Sequence, residues 1–503
     1  MSKVIVIGAG IGGMSAAARL AKAGHDVTVF EGSDRTGGKC RTKWIGNYAF
    51  DTGPSLLTLP AVYRDLFLKT GKRIEHILKI DPVDPAFEYN FADKTRITFP
   101  NLSLKGTCDS IESVLGKEAG NQWHNLMQRA EHMWDVSRGP FVESELKSIS
   151  SLIAKKGFLG NLKVIAPLTS LRKLTGKYTS SPYLSKIIDR YATYSGSDPR
   201  KVPAVLLTIA FVESSFGAWH IKGGIGQLSN AIENRCLELG VKFELNTTVT
   251  RITTKNSAAS GVEVDGKFYP ADFVVANADA EFVYNKLLDG KVKEVSPERK
   301  KLAKATKSLA GFSLLLGLDN SKISGPAPVM PHHSIYFPND YDAEFDDIFV
   351  KKIPVTDPTI YICAPNDDAM VKHPGHEAWF VLVNAPRHGD SDGFNWNDKD
   401  ANHRYAMKII DAIEARGISV RDRLEVLEIR TPADLERTVM APGGSIYGTS
   451  SNGARSAFLR AKNRSPLKGL YCVGGSAHPG GGLPLVGLSA EIVAQAVVGP
   501  TTH

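Results

Sequence analysis

Residues 8–13 read GAGIGG, which places Gly8, Gly10 and Gly13 at the spacing GxGxxG. The run Val4-Ile5-Val6-Ile7 precedes them, and the Ala- and Leu-rich stretch Met14 to Ala23 follows. A second apolar run, Val27-Thr28-Val29-Phe30, ends in Glu31. Strand, glycine turn, helix, strand and terminal acid is the order that a dinucleotide site requires. Gly8 permits the tight turn. Gly10, beside Ile11, lets the backbone come close to a pyrophosphate at the positive end of the helix, and Gly13 lets helix and strand pack closely. Glu31 can accept hydrogen bonds from ribose hydroxyls, and a carboxylate there argues against a 2′-phosphate.

A second glycine-rich stretch lies near the other end of the chain, CVGGSAHPGGGLPLVGLSAEIVAQAV from Cys472 to Val497. Glycine costs about 0.5–1 kcal/mol against alanine in regular structure, so its density there implies that something approaches the backbone. Gly474 and Gly475 follow the apolar run Leu470–Val473, and Pro484 sits where a helix would begin, a position that sacrifices no intrahelical donor. The positive end of that helix, at Pro484-Leu485-Val486, would stabilise negative charge on a bound group.

Other chemistries find little support. There is no GxSxG elbow and no HExxH pair, so hydrolase readings lack a nucleophile or a zinc site. The five cysteines are scattered without CxxC spacing, as suits small buried hydrophobes in a reducing compartment. His332-His333 are adjacent, so on a strand they point to opposite faces, and no third ligand is close in sequence; we expect no metal. His478 is expected to fix its loop by a hydrogen bond. The aromatics Tyr191, Tyr194, Phe211, Phe216 and Trp219 suit either a tunnel lining or an ordinary core. No side chain is singled out as catalytic.

The elements that position these residues belong to a chain of 503 residues, long enough for two or three domains. No apolar run reaches the ~20 residues of a spanning helix, and no secretory leader is legible at Met1-Ser2-Lys3. The net charge is +8, and it is concentrated. From Lys147 to Ile188 the chain carries Lys147, Lys155, Lys156, Lys163, Arg172, Lys173, Lys177 and Lys186 with no acid, interleaved with Phe158, Leu159, Leu162, Val164, Ile165, Leu168, Leu171 and Leu174. This reads as a surface for anionic lipid head groups, against the plainer reading of a solvated helix face. Few aromatics and no recognition motif accompany the charge, so nucleic acid is not expected. The acidic Asp340–Asp347 run reads as a solvated loop.

Further stretches resemble one family. Gly37-Gly38-Lys39-Cys40-Arg41, Phe50-Asp51-Thr52-Gly53-Pro54-Ser55, Arg190–Pro199, Lys222–Gly226, Val274–Asp279 and the HPG segment at His478 are similar to the bacterial-type carotenoid (phytoene) desaturases. The spelling Gly474-Gly475-Ser476 is more similar to late-pathway members such as hydroxycarotenoid 3,4-desaturases and diapolycopene oxygenases. The resemblance implies an α/β fold: a Rossmann-type FAD-binding domain of the amine-oxidase/GDP-dissociation-inhibitor type, a mixed α/β substrate domain and a helical membrane-contact insertion. The layout it implies is a discontinuous FAD domain (1–75, 217–285 and 465–503), a helical basic region (76–216) and a substrate domain (286–464). It adds Gly38, Lys39, Arg41, Gly53, Pro54, Ser55, Val249, Asn277, Gly474, Gly475, Pro484, Leu485 and Val486 to the cofactor-binding set. The implied activity is FAD-dependent desaturation of an acyclic carotenoid at the cytoplasmic membrane face. Carotenoid 3,4-desaturation, terminal carotenoid oxidation (oxygenase or ketolase), redox-neutral isomerisation and non-catalytic prenyl-lipid binding are the alternatives. No second dinucleotide fingerprint is present, so a quinone or oxygen is the expected electron acceptor.

Overall fold

The structure is a computed structural model that describes residues 1–146, 158–389, 393–454 and 456–499. Lys147, Lys155 and Lys156 of the basic segment, and the side chains of Phe158 and Leu159, lie outside the described residues.

Five short strands form a parallel sheet in the order Leu470–Cys472, Phe273–Ala276, Lys3–Ile7, Asp26–Phe30, Lys242–Glu244. Three remote parts of the chain thus share one sheet. In the central strand Val4 and Val6 enter one hydrophobic core and Ile5 and Ile7 the other, so both faces are covered, as the near-continuous apolar run demands. The helices Ile11–Lys22, Gly226–Glu238 and Leu483–Val498 pack on the first face. A three-stranded antiparallel sheet, Arg251–Lys255, Ala258–Val264 and Lys267–Pro270, covers the second.

Register decides what this sheet presents. Ile7 pairs with Phe30 and with Ala276, and Ala276 pairs with Cys472. The residues that follow these strand ends (Gly8, Glu31, Asn277 and, one further on, Gly474) therefore emerge in one row at the carboxyl edge. That edge is where open α/β sheets bind ligands.

A second, seven-stranded sheet runs Leu424–Arg430, Ala310–Asp319, His376–Ala385, Ile360–Cys363, His333–Tyr336, Phe87–Asn90, Arg96–Phe99. Its long strands alternate as half-buried strands do. Phe312, Leu314 and Leu316 pack with Tyr405, Ile409 and Ile413 of the helix Lys399–Glu414. Gly311 and Ser313 on the opposite face, with Phe380, Leu382 and Asn384 from the neighbouring strand, face a cavity. The helices Leu104–Leu115, Lys117–Phe141, Phe158–Ile165, Leu171–Thr175, Pro182–Thr193 and Thr208–Phe216 form a layer over the far end of this sheet.

The 76–216 region, expected to be mostly helical, also contributes Ile80–Pro82 and the last two strands of the seven-stranded sheet, Phe87–Asn90 and Arg96–Phe99. Two sequence expectations change. The Asp340–Asp347 run is not a solvated loop but the helix Tyr341–Asp346 and its continuation, with Tyr341, Glu344, Phe345 and Asp347 buried. Glu344 accepts from Thr359 N (2.7 Å) and Asn384 Nδ2 (2.8 Å), and burial pushes its carboxyl up to about 7. Within the basic segment Leu171 and Leu174 are core residues, and Arg172 pairs with Asp189 (2.7 Å) and Asp342 (2.6 Å). Lys163, Lys173, Lys177 and Leu168 remain exposed. Among the described residues no helix is long and apolar enough to cross a membrane.

Candidate functional site

A cavity of about 1650 Å³ runs from the carboxyl edge of the parallel sheet, across the open face of the seven-stranded sheet, to the helical layer. Of the sequence-predicted site residues, Gly8, Gly10, Ile11, Glu31, Gly38, Lys39, Arg41, Gly53, Pro54, Ser55, Val249, Asn277, Gly474, Gly475, Pro484, Leu485 and Val486 all line it. Gly13 does not. A Cβ built on Gly13 would lie 2.2 Å from the Gly8 carbonyl oxygen, so this glycine seats the helix against the turn beneath the cavity.

Asn277 joins the two glycine stretches. Its Nδ2 would be 2.6 Å from a Cβ at Gly10, and its Oδ1 2.7 Å from a Cβ at Gly474, which moreover adopts φ +104°. Any side chain at these positions would displace the asparagine. Ser489 of the last helix accepts from Gly474 N (3.2 Å), tying that helix to the same loop.

Two helix N-termini open on this cavity. Neither Ile11–Lys22 nor Leu483–Val498 has a side-chain cap or an acidic residue in its first turn, so their free N–H groups and positive ends favour an anionic or reducible ligand. Glu31 stands beside the first of them, its carboxylate accepting from Ala9 N (2.7 Å), Ser33 N (2.9 Å) and Ser33 Oγ (2.8 Å). This fixes the carboxylate at the glycine turn, with lone pairs left for ribose hydroxyls. Arg41 is held by Thr36 O (2.6 Å) and Ser33 Oγ (2.8 Å) on the same side. The donor set, the bare backbone and the second helix end fit FAD, and the volume exceeds the roughly 300–1,000 Å³ of a single-ligand pocket.

Arg460, Tyr63 and Asn463 shape the site without any sequence signal. Arg460 is buried and donates to Tyr447 O (2.9 Å), Gly475 O (2.8 Å) and Thr449 O (2.6 Å); burial lowers its pKa to about 10. It stitches the loop at Tyr447 to the glycines at 475. Lys39 donates to Ile446 O (2.7 Å) in the same loop; desolvation pulls its pKa down and Asp279 opposes that. Tyr63 OH donates to Leu483 O (2.6 Å), and Asn463 Nδ2 to His478 O (2.8 Å). His478 itself lies 3.0 Å through Nε2 from Ser144 O, a loop-fixing contact of the expected kind.

The histidine pair differs from expectation. The strand begins at His333, so His332 precedes the alternating register and both rings converge, their centroids 4.3 Å apart. Cys363, from the neighbouring strand, brings Sγ to 3.7 Å from His332 Nδ1, and the three side chains offer ligand-type atoms within 4.8 Å of one another. Burial holds His332 down to about 3 and pulls His333 well below its ordinary value, keeping both neutral. Tyr361 OH is hydrogen-bonded to His333 Nδ1 (2.7 Å) and to Ser55 Oγ (2.9 Å), giving a chain that ends in the Gly53–Ser55 loop of the cavity. Of the candidate aromatics, Tyr194 lines the cavity, whereas Tyr191 is buried behind its wall.

At the far end the lining becomes apolar: Trp134, Phe141, Leu162, Ile165, Val205 and Ile209 lead to Leu168, which is 90% exposed.

Residues 11–320 match the flavin containing amine oxidoreductases. The chain belongs to that family. It is 32% identical to the 1-hydroxycarotenoid 3,4-desaturase of Flavobacterium sp. (strain P99-3), over 100% of both chains. It is 30% identical to the 4,4'-diapolycopene oxygenase of Methylomonas sp, over 99% of this chain and 98% of that one. Among solved structures, the cyclohexylamine oxidase of Brevibacterium oxydans IH-35A superposes with a TM-score of 0.62 at 14% identity, over 99% of this chain and 98% of the other. An oxidoreductase from Methanosarcina mazei superposes with a TM-score of 0.63 at 17% identity, over 98% and 100%. The amine-oxidase-type flavoprotein fold is thus shared along the whole chain.

Proposed function

We propose that this flavoprotein introduces double bonds into an acyclic carotenoid drawn from an anionic membrane surface. The observation that carries the proposal is the continuity of the cavity: one end is built of glycines and two uncapped helix N-termini, the other opens through apolar residues at Leu168. When bound, FAD supplies the acceptor for a hydride leaving a saturated carbon–carbon pair.

Everything else falls to the chain's own residues. Glu31, Gly10, Ile11, Arg41, Val249 and Asn277 would hold the nucleotide end. Gly38, Lys39, Gly53, Pro54, Gly474, Gly475 and Pro484–Val486 would hold the ring end. The positive terminus of the last helix lowers the energy of negative charge near Leu485. Phe380, Leu382, Ile335 and Ile209 orient a hydrocarbon and exclude water. Ser55 Oγ contacts Tyr361 OH, which in turn contacts the neutral His333 imidazole, a polar chain that leads out of the apolar lining. Lys163, Lys173 and Lys177, exposed near the apolar mouth, suit anionic head groups. A quinone or oxygen would then take the electrons.

Incubating the purified protein with FAD, liposomes and acyclic C30 or C40 carotenoids tests the proposal. A red-shifted chromophore with loss of two hydrogens per new double bond is expected; no change with any of these substrates would reject it. The similarity to a diapolycopene oxygenase supports a second reading, terminal oxidation, which mass spectrometry separates by gain of oxygen. A requirement for stoichiometric NADPH would contradict the proposed acceptor.

A further inference from the structure

Behind the cavity wall lies a cluster of which the proposed reaction makes no use. His333 pairs directly with Cys363 across the strands His333–Tyr336 and Ile360–Cys363, and both side chains are buried. His332 brings its ring centre to 4.3 Å from that of His333. One ligand-type atom from each of the three residues falls within 4.8 Å of the other two. Hydrogen bonds leave the group half satisfied, because Nε2 of both histidines is buried without a partner among the described residues. An unpaired buried nitrogen costs desolvation that an apolar side chain in its place avoids.

Two imidazoles and a thiolate are a soft donor set, suited to copper or zinc. With bonds of roughly 2.3 Å to sulfur and 2.0–2.1 Å to nitrogen, a sulfur–metal–nitrogen angle of about 109–120° sets the two donors about 3.6–3.8 Å apart. Cys363 Sγ and His332 Nδ1 stand 3.7 Å apart. Structural metal sites are closed to water, so burial suits this one. The Tyr361 hydroxyl holds His333 Nδ1 (2.7 Å), an outer hydrogen bond of the kind that fixes a ligating ring, and leaves Nε2 as the free nitrogen. A surface pocket of about 520 Å³, lined by His332, His220 and Asp367, gives an ion its way in from solvent.

Charge and ligand count choose the ion. Burial, and after it the neighbouring His332 and Arg190, oppose positive charge on His333. A divalent ion with one thiolate would bury a net positive charge here, whereas copper(I) with one thiolate is neutral. Structural zinc takes four protein ligands, and among the described residues no fourth ligand-type side chain joins these three.

We propose that His332, His333 and Cys363 bind one copper(I) ion, at a site separate from the flavin cavity that clamps the two strands together. Cys363 binds as the thiolate and its proton leaves to solvent. The ion keeps its oxidation state. The site runs against the sequence expectation of no metal, because the third ligand comes from a neighbouring strand.

The probe is copper(I) itself, titrated anaerobically into the flavin-loaded protein against a chromophoric copper(I) chelator, with zinc in a parallel titration. One copper per chain is expected. Cys363→Ser and His332→Ala should each weaken binding by about 100-fold or more, since even the hydrogen-bond partners of metal ligands are worth 10–100-fold. Cys108→Ser, at the most accessible of the other cysteines, should leave it unchanged. Copper should raise the melting temperature of wild type and not that of Cys363→Ser. X-ray absorption at the copper edge of wild type should show one sulfur and two nitrogen neighbours, a readout that needs no variant to fold. Loss of all copper to the chelator, equal retention by Cys363→Ser, or an edge spectrum without sulfur overturns the proposal. One zinc bound where copper(I) is not overturns the choice of ion.

Discussion

Gly481 offers the sharpest test of where the flavin lies. A Cβ built on it would fall 2.1 Å from Tyr447 Cδ1 and 3.0 Å from Cγ, whereas carbon atoms in contact sit at about 3.5–4.0 Å. The tyrosine cannot give way easily. Its carbonyl accepts from buried Arg460 (2.9 Å), its N–H donates to Ser308 Oγ (3.2 Å), and its opposite ring edge faces Gly196, where a built Cβ would be 3.1 Å from Cδ2. The ring is pinched between two glycines and lines the cavity. Relief must come from the loop at 474–482, the segment assigned to the ring end of FAD. Overpacking of this kind costs about 1–3 kcal/mol. If some 2 kcal/mol of it falls on the flavin-bound state, Gly481→Ala should weaken FAD binding roughly 30-fold.

The measurement is the visible flavin absorbance per protein after purification, followed by titration of the apoprotein with FAD. Gly240→Ala is the control, since Gly240 has φ +82° with nothing near a built Cβ and lies away from the cavity. It should lower the melting temperature and leave FAD affinity alone. A Gly481→Ala protein with wild-type flavin content and a dissociation constant within about threefold would refute this placement of the ring.

Three further outcomes follow from particular residues. Glu344 titrates at about 7 in the folded protein, against 4.5 for a solvated glutamate, because burial disfavours its charge. The native state therefore holds the extra proton between pH 4.5 and 7, stability falls as pH rises through that window, and the loss is roughly 3 kcal/mol. Glu344→Gln should flatten that part of a melting-temperature profile, and an unchanged slope would contradict it. Leu168→Asp, at the 90%-exposed mouth residue, should reduce cosedimentation with anionic liposomes and turnover from them; unaltered cosedimentation would remove Leu168 from the membrane contact. Arg460→Lys replaces a fork that reaches three carbonyls with a single ammonium, and should lower both melting temperature and flavin content; retention of both would show that the loops at 447 and 475 hold without it.

How much of this is legible in sequence depends on whether the signal is local. The first βαβ unit is readable because each of its parts lies within 31 residues, and backbone geometry demands those residue types at that spacing. The strand Leu470–Cys472 is readable as a strand, but nothing local says that it pairs with Phe273–Ala276. That pairing comes from the family resemblance. The Asp340–Asp347 run misleads because its acids draw attention from Tyr341, Phe345 and Ile348, whose spacing of four and three residues is that of a buried helix face. The histidine pair misleads because period-two alternation does not hold one residue before the strand begins. Arg460 leaves no trace at all. Its partners are backbone carbonyls, and a carbonyl has no spelling.

The catalytic step is the least legible part, for a related reason. An enzyme that must polarise a bond with its own side chains needs particular residue types at particular distances, and these leave a motif. Here the reactive group is carried by the cofactor, and the substrate is held by an apolar wall that many residues can build equally well. What the chain specifies tightly is bare backbone at one end of the cavity and exclusion of water at the other. The informative departures are then the polar groups that interrupt the apolar wall, since each costs desolvation that a hydrocarbon cannot repay. Examples are Ser55–Tyr361–His333, which leads from the Gly53–Ser55 loop to a neutral imidazole, and Arg190–Tyr194–Glu213, a buried ion pair set among tyrosines. Neither shows as a motif because each is assembled from separate strands and helices.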